Sequence, residues 1–415
     1  MLNLDLVRSQ FPALASGAVH LDNPGGTQIA RQSLERIQHY YQHTNANHGG
    51  RFRTSHESDA MVAGTRQAIA DWLNAARPEE IVFGPNMTTL TLHMSRSLAH
   101  LLQPGDEIVL THLDHDANVA PWLLIARERG CTIRWVDFHR EDCTLDLDSL
   151  ERAISSRTKI VAVGYASNAV GTINDVQRAA RIAHRVGALC YVDAVQYVAH
   201  GVVDVQALDC DFLVCSAYKF FGPHWAVLYG KYDVLDRLTA YKVRPSSDVP
   251  PEKWETGTPS FEAIAGTLGA LDYFAWLGQT FGGADKPELP RREVLMAGME
   301  AARRYERELS RALISGLQTI SGLRIWGITD PARLDERVPT VSFTLEGHSP
   351  DAVAEALGRE GIYVWNGNFY APEVTTTLGL EASGGMVRIG AVHYNTQAEI
   401  ERLIDVLCRL MEQRE

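Results

Sequence analysis

The chain has 415 residues, 45% hydrophobic and 22% charged, with a formal net charge of −12, enough to bury a large core over about two or three domain lengths. The charge is spread without acidic or basic blocks, which argues against a nucleic-acid groove or an anionic membrane surface and leaves small molecules as the expected partners. Met1 leads into NLDLVRSQFPAL, which has neither the basic start nor the apolar run of a signal peptide, and no stretch approaches the ~20 apolar residues of a membrane span. The expected compartment is the cytoplasm. The six cysteines (Cys131, Cys143, Cys190, Cys210, Cys215 and Cys408) show no CxxC or Cys/His ligand spacing, and four lie in apolar runs. Reduced, mostly buried thiols are expected. The 15 histidines form no HExxH, so no metal site is expected.

In chain order, residues 1–19 are expected to pack on a smaller C-terminal domain. From about residue 20, the strand-type segments EIVFG, DEIVLT, CTIRWVDF, KIVAVGYAS, LCYVDAV, FLVCSAY and AVLYG alternate with helix-type stretches such as SLERIQHYYQH and DVQRAARIAHRVG. Strands apolar on both faces that alternate with helices predict a mostly parallel sheet covered on both sides. This large domain is placed at 20–265. A connecting helix and linker follow at 266–290, ending in the linker-like GGADKPELP. A long charged helix pattern from Arg291, the runs LRIWGI and TVSFTL, and an amphipathic closing helix then predict a small α+β domain at 291–415.

Asp193 ends the strand LCYVDAV, and Lys219 follows 26 residues later, just past the strand FLVCSAY. Successive parallel strands joined by one crossover bring both to the carboxyl edge of the sheet, where open α/β folds bind ligands. Alone, Asp193 reads as a helix cap and Lys219 as a solvated lysine. Together they supply what pyridoxal-5'-phosphate (PLP) chemistry requires: an amine to hold the aldehyde as a Schiff base, and an acid to keep the pyridine nitrogen protonated.

VDAVQ followed by SAYKFFGP resembles the VDxxQ and SxHK motifs of class V aminotransferases, nearest to the cysteine desulfurase group. The likeness spans nearly the whole chain through HLDNPGG, GPNMTT, LDHDANVAPW, YASNAVGT, VDVQALDCDF, WETGTP and RIGAVHYNT, in family order. It implies an α/β protein of the aspartate-aminotransferase-like PLP-dependent transferase fold type I, whose large domain is built on a mostly parallel seven-stranded sheet. It also implies that His115 stacks on the PLP ring and that Asn168 and Gln196 reach the ring hydroxyl. Met87, Thr88 and Thr89 would meet the phosphate at a helix start, where free amides favour anions. Ser216 and Tyr218 would join them, Tyr218 standing where close relatives have histidine. Thr258 resembles the threonine that reaches the phosphate of the other subunit, which implies a homodimer with shared active sites. Arg388 matches the arginine that grips the substrate α-carboxylate, a task suited to a planar fork of donors.

Three departures stand out. Cysteine desulfurases carry sulfur on a loop cysteine; in GIYVWNGNFYAPE that position is Tyr370, and no cysteine lies between Cys215 and Cys408. A phenol cannot form a persulfide. Trp365 stands near where relatives place a basic residue, and the run from Asn23 through Gly25 to Gly26 lets backbone approach a ligand closely. These residues are taken as substrate-binding and suggest a larger or less charged substrate than cysteine, with core packing of Trp365 and a plain turn as the competing explanation. The expected activity is a C–S lyase working by β-elimination on an L-amino acid, with Lys219 moving the α-proton and Tyr370 a candidate proton donor. A class V aminotransferase, an epimerase, a true cysteine desulfurase and a non-catalytic PLP-fold partner protein remain alternatives. A dinucleotide-binding oxidoreductase shares the sheet type, but the chain lacks GxGxxG between a first strand and helix.

Overall fold

The computed structural model describes residues 2–412. Its large domain is built on a seven-stranded sheet in the spatial order Ile81–Gly84, Ala226–Gly230, Phe212–Ser216, Leu189–Asp193, Thr158–Gly164, Glu107–Thr111 and Thr132–Val136. Ala226–Gly230 runs antiparallel to both neighbours, and every other pairing is parallel. The seven apolar runs of the sequence are these seven strands. All but the edge strand Thr132–Val136 are buried almost throughout. Separate apolar cores fill the two faces: Val161, Val192, Leu213 and Val227 point into one, and Ile160, Tyr191, Val214 and Leu228 into the other. Alternate residues therefore serve opposite layers, which accounts for strands without a polar face.

The C-terminal region has a four-stranded sheet in the order Trp365–Gly367, Met386–Gly390, Thr340–Leu345 and Leu323–Trp326, all antiparallel. It packs on the helices Arg291–Gln318, Pro350–Arg359 and Gln397–Glu412 around a third core. Residue 265 falls inside the helix Phe261–Phe281, which runs on to the irregular stretch 282–290. This helix meets Arg291–Gln318 where Gly278 and Gly298 cross. A Cβ on either would lie 2.0 Å from a carbonyl oxygen of the other helix, so only glycine allows the approach.

The N-terminal segment touches both domains. Arg8 donates to Glu399 at 2.9 Å and to the Tyr394 carbonyl at 2.7 Å, while Phe11 meets Phe221, Tyr273 and Tyr394 edge-on. Val19–His20 then pairs in parallel with Ile362–Tyr363. Among the described residues, no helix is long and apolar enough to cross a membrane.

Candidate active site

At the carboxyl edge of the large sheet lies a cleft enclosing about 540 Å³, its open mouth included. Asp193 reaches it from the end of Leu189–Asp193. Ser216 ends the next strand, and the tight turn Ala217–Lys219 delivers Tyr218 and Lys219. On the opposite wall the helix Met87–Leu98 begins, capped by the Asn86 side chain, which accepts from the Thr89 amide at 2.8 Å. Asn86, Met87 and Thr88 line the cleft at that helix start, and the Met87 amide donates to Ser216 Oγ at 3.1 Å. His115, Asn168 and Gln196 complete the walls.

The charged groups at the bottom are far from their solution behaviour. Burial brings the Lys219 amine down to about 7, with Arg388 adding to the fall and Asp193 opposing it. Burial pushes the Asp193 carboxyl up to about 6, against the Val195 amide that donates to it at 2.9 Å and against Lys219. His115 is lowered to about 4 by burial, with Lys219 and Arg388 adding, so its imidazole is neutral at pH 7. Lys219 Nζ and Gln196 Nε2 both donate to the Pro24 carbonyl. In protein free of cofactor, acetylation of Lys219 by acetic anhydride, a reagent that does not itself ionise, should therefore rise with pH to a midpoint near 7, because only the neutral amine reacts. Peptide-mapped labelling measures it, and a midpoint near the ordinary lysine value of about 10.4 would mean that the amine is solvated.

Asp114 was not among the residues picked from sequence. It lines the cleft, receives Thr111 Oγ1 and Asn118 Nδ2, and is 3% exposed. Burial pushes it up to about 7, with Asp193 adding to the rise. His115 does not pair with it but accepts the Ala117 amide on Nδ1 at 3.0 Å, and Asp114 is a buried acid that braces its loop through Thr111 and Asn118. An acid directly before a cleft histidine was the available signal.

The residues expected around the substrate are arranged differently from one another. Arg388, 5% exposed, donates from Nη1 to the Asn168 carbonyl at 2.9 Å. Trp365 lies directly across the strand pair from Arg388, so the two side chains share one face. Half exposed, its indole lies over Gly25, where a Cβ would stand 2.1 Å from Nε1. Tyr370 is 74% exposed, with its ring parallel to that of His115 at 5.7 Å. Asn23 departs from the sequence expectation. Its Nδ2 donates to the His20 and Gly390 carbonyls and to Asn395, and its Oδ1 accepts the Tyr394 hydroxyl. With its capacity spent inside the fold, it locks the turn before Gly25 and has nothing left for a substrate. Thr89 and Thr258 do not line this cleft, and Thr258 is exposed.

A family model described as aminotransferase class-V matches residues 19–284 and 293–403. The chain belongs to the class V aminotransferases. Within that family, an aminotransferase-like protein of Gibberella zeae is 33% identical over 416 residues, covering 98% of both chains. A cysteine desulfurase of Synechococcus elongatus is 35% identical over 97% of this chain and 63% of its own length. Among solved structures, the apo cysteine desulfurase of Thermococcus onnurineus superposes with a TM-score of 0.88 at 27% identity, covering 100% of this chain and 99% of that one. This class V member is thus a PLP-dependent enzyme of fold type I. Its own residues fit the cofactor. The cleft joins a lysine amine brought down to about 7, a buried carboxyl group and a helix start, and Asn168 Oδ1 is buried with no hydrogen-bond partner among the described residues.

Proposed function

We propose that this enzyme is a C–S lyase that cleaves an L-amino acid bearing a bulky, uncharged sulfur substituent, without using a protein thiol. The observation that supports the proposal is that no cysteine lines the cleft, while the loop beside it carries the exposed Tyr370, whose ring lies parallel to that of His115. Four of the six cysteines, Cys143, Cys190, Cys210 and Cys215, are buried, Cys131 and Cys408 are half-buried, and none lines the cleft. Burial also pushes the Cys143 and Cys210 thiols up to about 12, far from the thiolate that sulfur transfer requires. Trp365 beside Arg388, where a basic side chain would suit a small charged substrate, supports the bulky substituent.

Bound PLP would supply an electrophilic aldehyde and an electron-withdrawing ring. Lys219 would hold the aldehyde and, once displaced by the substrate amine, take the α-proton. Asp193 would keep a proton on the ring nitrogen, and neutral His115 would lie flat against the ring. Asn168, through its unpartnered Oδ1, and Gln196 would meet the ring hydroxyl, with Met87, Thr88 and Ser216 at the phosphate. Arg388 would fix the substrate carboxylate, and the Tyr370 phenol would offer a proton to departing sulfur. The Cβ–S electron pair leaves with sulfur, and with one water consumed the products are a thiol, ammonia and a 2-oxo acid. The exposed position of Thr258 supports a homodimer in which it serves the other copy's phosphate.

The test is a variant with all six cysteines changed to serine or alanine, assayed with S-substituted cysteines for thiol, pyruvate and pyridoxamine phosphate. It should keep activity within about threefold, the effect of a small packing loss. A folded, PLP-loaded variant with no activity would refute the lyase and restore sulfur transfer through a thiol. Pyridoxamine phosphate in place of thiol would make the enzyme a transaminase.

A further inference from the structure

We propose that Phe369 is the positioning residue for the substrate carboxylate: its ring carries the Arg388 guanidinium, and its carbonyl holds the side chain of Asn168, whose own carbonyl accepts from that guanidinium. The inference deepens the reading of the cleft as an amino-acid site and rests on it.

Three contacts close a triangle. The Arg388 guanidinium lies over the Phe369 ring at 4.4 Å. Asn168 Nδ2 donates to the Phe369 carbonyl at 2.8 Å, and Arg388 Nη1 donates to the Asn168 carbonyl at 2.9 Å. Arg388 Nε remains buried without a partner among the described residues. A buried cation needs compensation, and the usual partner, a carboxylate, would occupy the in-plane N–H fork that must stay free for substrate. An aromatic face compensates the charge from above and uses none of those donors. The Asp22 carboxylate also acts on Arg388, but from outside contact distance, and Phe369 adds compensation at contact without taking an N–H donor.

The backbone shows that this placement is imposed. Phe369 and Tyr370 have φ of +56° and +58°, a conformation that residues bearing a side chain disfavour. It persists only where surroundings enforce it. Here the Asn168 side chain takes the first carbonyl, the Asp116 amide takes the second at 2.7 Å, and Asn368 Oδ1 accepts the Tyr370 amide at 3.2 Å. The strained pair turns Phe369 inward, to 9% exposure, and Tyr370 outward.

The test compares wild type, Phe369→Leu and Phe369→Tyr as PLP-loaded proteins, titrated with L-alanine and with L-alaninamide, which lacks the carboxylate. Binding is read from the cofactor absorbance, and thermal denaturation checks the fold. Phe369→Leu should weaken L-alanine binding about tenfold, the scale of a desolvated cation–π contact, and leave L-alaninamide unchanged. Phe369→Tyr, which keeps the aromatic face, should restore L-alanine binding. Equal weakening of both ligands, or no change in either, would overturn the positioning role while leaving the amino-acid site standing. A wild-type protein that binds neither ligand would overturn the amino-acid reading and this inference with it.

Discussion

Lys219→Ala should abolish turnover, by on the order of 10⁴-fold or more, and leave a folded protein. The rate loss follows because the same amine would both hold the cofactor and move the α-proton, and general acid–base catalysis alone contributes about 10²–10⁴-fold. The fold should survive because the Pro24 carbonyl, which receives Lys219, also receives Gln196 Nε2 and keeps a donor in the variant. Borohydride reduction and peptide mapping of the wild type should find the cofactor on Lys219. The main rivals are engaged elsewhere: Lys242 pairs with Asp248 at 2.9 Å, and Lys253 donates to the Asp236 carbonyl. Label on either of these would reassign the site.

Asp193→Asn should retain PLP yet slow exchange of the substrate α-hydrogen with solvent by about 10²–10⁴-fold. A neutral amide has no charge with which to hold a proton on the ring nitrogen. The substitution is nearly isosteric, and the Val195 amide that donates to Asp193 can still meet an amide oxygen. In cofactor-free protein the variant also removes a carboxyl that burial raises to about 6. A raised carboxyl favours the fold below its unfolded value of about 3.9 and loses that contribution as pH rises through 6. The empty variant should therefore keep more of its stability between pH 4 and 6 than the empty wild type. Wild-type exchange rates measured by deuterium uptake at the α-carbon would disprove the role.

Much of this was legible in the sequence, for reasons that particular residues make plain. Buried parallel strands must be apolar on both faces, so Val161 and Ile160, neighbours facing opposite cores, announced their strand without a polar partner. Asp193 and Lys219 stood out because each follows such a strand with a charge. The end of the large domain was harder: Phe261–Phe281 continues as one helix through residue 265, and nothing in local composition marks where a helix changes its allegiance. Asn23 sits among the small residues typical of a ligand loop, but its partners Gly390 and Asn395 lie more than 360 residues away. Phe369 was invisible for a related reason. Its importance lies in a left-handed backbone and a contact from a turn to the strand Met386–Gly390, and neither leaves a periodic trace.

The ties of the N-terminal segment bear on when the enzyme comes into being. Arg8 waits for Glu399, Val19 for Ile362, and Asn23 for Gly390 and Asn395. On the ribosome, Lys219 and Asp193 emerge long before Arg388, and the turn that hands Pro24 to Lys219 has no lock until Gly390 and Asn395 are made. Contacts of such sequence separation form late. The cleft is therefore assembled only once residue 395 has emerged, and a chain truncated before it would carry the cofactor lysine without the lock on the turn that holds its partner in place.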